Sequence, residues 1–130
     1  MKVRLLTIFF LLLAGALIIA ACGGGAPAAT PTTEGPAGDA VAGKTKFEST
    51  CTTCHGPDAK GIPGLGKDLT VSEFAKGLSD RELVDFLAVG RPASDPLNTT
   101  GVDMPPKGGN PAFTEQDLID IAAYVRALQQ

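Results

Sequence analysis

Apolar residues along this chain of 130 residues form one near-continuous run and several sets at helical spacing. The run is Leu5–Ile19. Near the C-terminus, Leu118, Ile121, Ala122, Val125 and Leu128 recur three or four apart, the signature of one buried helix face. Thr114 stands before this set with Asp117 three residues on, a capping arrangement. Leu83, Phe86 and Leu87, with Val89 beside them, mark a second helix. Ser79-Asp80-Arg81-Glu82 opens it as a capping box and Gly90 closes it. Asp39 can cap a helix over Ala40–Thr53 that carries Gly43, Phe47, Cys51 and Cys54 on one face. A short helix follows Thr70 or Ser72 and ends at Gly77. No stretch alternates with period two over the length of a strand. The pattern predicts a small all-α domain of about four helices over residues 39–130.

Between these elements lie two segments too rich in Gly and Pro for helix or strand. One runs from Gly56 to Gly66. The other runs from Arg91 to Phe113 and contains Pro92, Pro96, Gly101, Pro105, Pro106, Gly108, Gly109 and Pro111. A loop of that length in a small domain is either disordered or functional.

The N-terminus reads as an export signal. Met1-Lys2-Val3-Arg4 is positive, the apolar run follows, and Ile19-Ala20-Ala21 ends it with small residues. The run is short against the ~20 residues of a membrane span, and an uncleaved N-terminal membrane anchor is the alternative. Ile19-Ala20-Ala21-Cys22 resembles the bacterial lipobox. That resemblance implies that residues 1–21 are removed and that Cys22 is lipidated. Residues 22–38, made of Gly, Ala, Pro and Thr with one Glu after Cys22, then form a flexible linker. A free thiol at Cys22 is the bland reading. Removing Lys2 and Arg4 takes the net charge from −3 to −5. There is no basic stripe of the kind that binds nucleic acid.

The chemistry is concentrated in Cys51-Thr52-Thr53-Cys54-His55. C-x-x-C-H is the attachment pattern of a c-type haem. Thiols at i and i+3 share a helix face and can each form a thioether to one edge of a porphyrin. The next residue, His55, is the only histidine, and it is placed as an axial iron ligand. A Cys51–Cys54 disulfide, a dithiol oxidoreductase and a zinc site are the competing readings. The oxidoreductase calls for a βαβ pattern near the motif. Zinc calls for a fuller ligand set than two Cys and one His.

From residue 39 to residue 130 the chain resembles the class I cytochrome c family. Gly43 and Phe47 on the first helix, C-x-x-C-H, a Gly/Pro loop, Met104-Pro105 and an aromatic in the last helix (Tyr124) carry the resemblance. It implies one covalently bound haem c, and first and last helices that cross at Gly43, Phe47 and Tyr124. Met104, in Val102-Asp103-Met104-Pro105-Pro106, is the second axial ligand expected, since two prolines stiffen the backbone behind it. Lys107 or water are its rivals. The resemblance also implies a proline carbonyl that orients His55, and Pro63 is the match, although Ile62 stands where the family often has Gly. Arg91 is a candidate partner for a haem propionate. About 90 residues is small for a domain without staples, and a haem between the helices supplies the missing apolar mass.

With both axial positions filled, the iron exchanges one electron and has no place for a substrate. The sequence therefore predicts a membrane-tethered monohaem electron carrier, not an enzyme, on the outer face of the cytoplasmic membrane. Its partners would be a redox protein donor and acceptor of a respiratory or photosynthetic chain. A permanently bound cytochrome subunit of a larger membrane complex is the alternative. Lys60, Lys67, Arg91 and Lys107 could give the haem edge a cationic rim.

Overall fold

The computed structural model describes residues 37–130. The expected signal segment, Cys22 and nearly all of the expected linker lie outside the described residues. Among the described residues five α-helices occur in order: α1 (Ala40–Thr50), α2 (Thr52–His55), α3 (Glu73–Gly77), α4 (Asp80–Val89) and α5 (Glu115–Leu128), with a 3-10 turn at Pro106–Gly109 before α5. No strand longer than a single bridge occurs among the described residues.

The caps read from sequence are formed. Asp39 accepts from the N–H groups of Val41 and Ala42 at the start of α1. Ser72 opens α3 by accepting from Ala75. Ser79 with Glu82, and Thr114 with Asp117, make reciprocal capping boxes on α4 and α5. Each satisfies donors that a helix start leaves unpaired. Helices α1 and α2 are almost one rod. Cys51 keeps a right-handed helical backbone between them, and the His55 N–H still reaches the Cys51 carbonyl at 2.9 Å.

Helices α1 and α5 cross at Gly43. A Cβ there would stand 1.9 Å from the Asp120 carbonyl oxygen, so only glycine permits this approach. One turn on, Phe47 is buried and meets Tyr124 edge-on, with ring centroids 5.3 Å apart. Such aromatic pairs add to simple burial. Beside the crossing, Asp120 is buried. It accepts from Lys46 Nζ at 2.9 Å, Gln116 Nε2 at 2.9 Å and the Asp39 N–H at 3.0 Å.

The main core joins α4 to α5. Leu83, Val84, Leu87, Phe113, Leu118, Ile121, Ala122 and Val125 form one buried cluster. Val84 takes the inner place and Val89 is 71% exposed, so the expected apolar set of α4 is shifted. Arg126 ties α5 to the turn between α3 and α4. Its guanidinium donates to the carbonyls of Ala75 and Leu78 and to Asp80. It thereby adds a donor at the carboxyl end of α3, where the Ala75 carbonyl otherwise has only a long 3.4 Å bond from the Leu78 N–H.

The long loop is ordered by its own polar groups. Asn98 donates to the carbonyls of Pro92 and Val102 and accepts from Thr100 and Gly101. Asp103 accepts from the Ala93 N–H.

Burial by itself would raise the pKa of Asp120, but the bonds from Asp39, Lys46 and Gln116 outweigh it and hold the carboxyl below its ordinary 3.8. A folded pKa below the unfolded one contributes stability that is present above the unfolded pKa and lost as pH falls through the folded one. The holoprotein is therefore expected to lose stability as pH drops below about 4. Asp120→Asn should flatten that part of the curve. Denaturant melts at stepped pH check this, and an unchanged acid limb in the variant would contradict it.

Candidate cofactor site

Helix α2 ends at Gly56, and the chain then turns back on itself. The Ile62 N–H donates to the Cys54 carbonyl at 3.0 Å and the Gly61 N–H to the His55 carbonyl at 2.8 Å. This return brings Lys67 beside the histidine. His55 Nδ1 lies 2.8 Å from the Lys67 carbonyl oxygen. An imidazole that donates from Nδ1 is fixed in orientation and keeps the Nε2 lone pair free. Burial lowers the His55 pKa, against an opposing pull from the Lys67 bond. The ring is thus held neutral, the state a metal ligand needs.

The expected partner of His55 was the Pro63 carbonyl, and the geometry corrects this. Residues 62–66 form a tight turn, with the N–H groups of Leu65 and Gly66 both on the Ile62 carbonyl. Pro63 sits exposed in that turn, outside the cavity. Four residues later the chain reaches the imidazole, so the acceptor is a main-chain oxygen of Lys67. A backbone acceptor leaves no residue-type signal, and the Gly-Lys-Asp-Leu stretch at 66–69 offered only its place after the turn.

Cys51, Cys54, His55, Arg91 and Met104 all line one cavity of about 540 Å³. That is a size suited to a cofactor. Most of its other walls are apolar, with Leu65, Leu69, Phe74, Leu83, Phe86 and Leu87 among them. Cys51 and Cys54 are not joined as a disulfide. Burial, and then the neighbouring Cys54, push the Cys51 thiol up to about 11. No cluster of three or more His, Cys, Asp or Glu suited to a bare metal ion occurs among the described residues.

Met104 is half-buried and packs against the main core. Its main chain is held on both sides by Arg91: the Arg91 N–H donates to the Met104 carbonyl at 2.8 Å, and the Met104 N–H donates to the Arg91 carbonyl at 2.8 Å. Gly90 makes that bridge possible. Its φ is +75°, and a Cβ there would lie 2.2 Å from the Met104 carbonyl oxygen. The sequence read Gly90 only as a helix stop, and its second task was invisible without the bridge. Lys107, the rival ligand, is engaged elsewhere, with Nζ donating to the Phe113 carbonyl at 2.6 Å. Of the four cations expected to frame the haem edge, Lys67 and Arg91 line the cavity, while Lys60 and Lys107 do not.

The Arg91 guanidinium lies over two rings, 4.1 Å from the Phe74 centroid and 4.9 Å from that of Phe86. Its Nε is buried and makes no hydrogen bond. The Asp95 carboxylate is 3.4 Å away, an ion pair too long for a directed bond. An orphaned buried donor beside an apolar cavity suits a flat hydrophobic group that carries carboxylates at its edge.

A helical domain of this kind, with two thiols, an oriented imidazole and a thioether on one apolar cavity, is built for a covalently attached haem. The chain matches the family described as Cytochrome c over residues 40–129. It is 32% identical over 88 residues to "Cytochrome c-555" of Chlorobaculum thiosulfatiphilum, covering 67% of this chain and 93% of that protein. It is 30% identical over 102 residues to "Cytochrome c-554(547)" of Halothiobacillus neapolitanus, covering 72% of this chain and all of that protein. It is also 30% identical over 90 residues to the "Cbb3-type cytochrome c oxidase subunit CcoP" of Rhodobacter capsulatus, but covers only 29% of that protein and 68% of itself. No solved structure gives a match. The chain belongs to the cytochrome c family. It is an electron-transfer protein with one covalently bound haem c, and its partners are redox proteins.

Gly90→Ala should force the Met104 segment away from Arg91, since the added Cβ meets main chain and not a flexible side chain. Overpacking with strain costs about 1–3 kcal/mol. Denaturant unfolding of the holoprotein should show a loss of that size. Wild-type stability in the variant would mean that the bridge does not fix this loop.

Proposed function

We propose that the protein is a lipid-anchored, one-electron carrier of an extracytoplasmic redox chain, and not an enzyme. Cys51 and Cys54 would hold the haem through thioethers, His55 and Met104 would ligate its iron, and Arg91 would pair with a propionate. Haem supplies a one-electron couple to this cavity. The chain's own work is to hold and shield it. The Lys67 carbonyl orients the imidazole and raises its basicity. The Arg91 bridge and the two prolines behind Met104 limit how far the thioether can move. Apolar walls keep water off the group, and methionine ligation and burial both raise the potential. A closed, pre-organised site passes electrons with little rearrangement and offers no position to a substrate.

The observation that carries this reading is the double hydrogen bond between Arg91 and Met104, on the wall of the cavity that also holds His55. The ordered loop favours a structural ligand over a Met that merely fills a gap. Met104→Ala is the direct test. It should abolish the methionine–iron charge-transfer band of the ferric protein and lower the potential. A variant that keeps both would remove Met104 from the iron.

The anchor rests on the sequence alone: the apolar run, the lipobox-like Ile19-Ala20-Ala21-Cys22, and the linker 22–38. Two or more acyl chains anchor stably where one does not. Mass spectrometry of the mature protein should find Cys22 as the first residue with added acyl mass, and Cys22→Ser should release the protein from membranes. An intact Met1 in the mature protein would support the uncleaved anchor instead.

Similarity to the CcoP subunit favours one second reading, in which this domain stays permanently bound in a larger membrane oxidoreductase. Stable co-purification with such a complex in detergent discriminates the two.

A further inference from the structure

Arg91 belongs to two systems at once. Its main chain is one half of the bridge that holds Met104. Its side chain stands on the cavity wall, stacked on Phe74 and Phe86, and only 15% of it is exposed. Cation–ring contacts of this kind hold a guanidinium flat. Both rings come from the elements that precede the bridge: Phe74 on α3 and Phe86 on α4. The rings also contact each other edge-on at 5.0 Å. Asp95 lies near Nε but too far for a directed bond, and Nε is left without an acceptor. A buried guanidinium N–H without a partner is costly, and a carboxylate at the edge of the bound group is the acceptor that relieves it.

We propose that Arg91 is a positioning residue that couples the anionic edge of the cofactor to the Met104 ligand. Pairing of the guanidinium with a cofactor carboxylate fixes the Arg91 side chain. Fixing that side chain on Phe74 and Phe86 fixes the Arg91 backbone. The backbone in turn holds Met104 through two hydrogen bonds. The inference rests on the haem and Met104 assignments above, and it adds that the strength of methionine ligation depends on a side chain that does not touch the iron. Arg91 contributes in two separable ways. Its charge favours the reduced form, and its flat, stacked shape restrains the loop.

Two variants of the full holoprotein separate these contributions. Arg91→Gln removes the charge. Arg91→Lys keeps the charge but loses the planar stack and the fork. The readouts are the midpoint potential and the affinity of the ferric protein for imidazole, which competes with Met104 for the iron. Arg91→Gln is expected to move the ferric-to-ferrous ratio at fixed ambient potential about tenfold toward ferric, a fall of about 59 mV for one electron. It should also bind imidazole several-fold more tightly. Arg91→Lys should keep most of the potential and still show the tighter imidazole binding. Should Arg91→Gln fail to load haem, Arg91→Lys carries the test through imidazole alone. Imidazole affinity equal to wild type in the variants, with the methionine–iron band intact in the wild type, overturns the coupling. A wild-type protein without that band overturns the axial assignment instead.

Discussion

The close crossing of the first and last helices is the constraint on which the other features depend. Gly43 lets the α1 backbone touch the Asp120 main chain, and no side chain could be interposed there. The contact fixes the direction of α1, and α2 continues it with little break. The cysteines and the histidine are therefore aimed by a helix whose other end is locked to α5. Phe47, between the crossing and the motif, packs on Tyr124 and lies 6.5 Å from the His55 ring, centroid to centroid. Moving the crossing would move the imidazole.

A second set of contacts builds the wall that carries Met104. The α4–α5 core places the end of α4, Gly90 turns the chain, and Arg91 catches Met104 across a long loop. This arrangement explains how a segment with five prolines and several glycines is ordered without an α-helix or a sheet. Asn98 and Asp103 supply the hydrogen bonds that regular structure would have supplied. The domain is small, and its helices enclose a large apolar cavity instead of meeting over it. A bound haem fills the space that side chains would occupy in an ordinary core of this size.

Much of this was legible in the sequence. The caps at Asp39, Ser79 and Thr114 and the stops at Gly77 and Gly90 have local causes, and local causes leave local residue patterns. Gly43, Phe47 and Tyr124 were readable because a family resemblance linked positions that are far apart in sequence. The acceptor for His55 was misassigned for the opposite reason. Any residue has a carbonyl, so the identity of Lys67 gives no hint, and only the path of the turn at 62–66 decides which oxygen arrives. Arg126 was missed because its partners are also carbonyls, at the end of α3. The outward placement of Val89 shows the limit of helical periodicity over the last turn of a short helix, where the neighbouring loop decides what is covered.

The central claim is that this fold delivers a histidine and a methionine to one iron and holds both through a change of charge. X-ray absorption at the iron edge of the purified holoprotein, recorded in both oxidation states, tests it most directly. The account predicts a six-coordinate iron with one sulfur among otherwise nitrogen donors, and nearly the same ligand distances in the ferric and ferrous forms. An all-nitrogen shell, a bound water, or a sulfur present in one state only would contradict it.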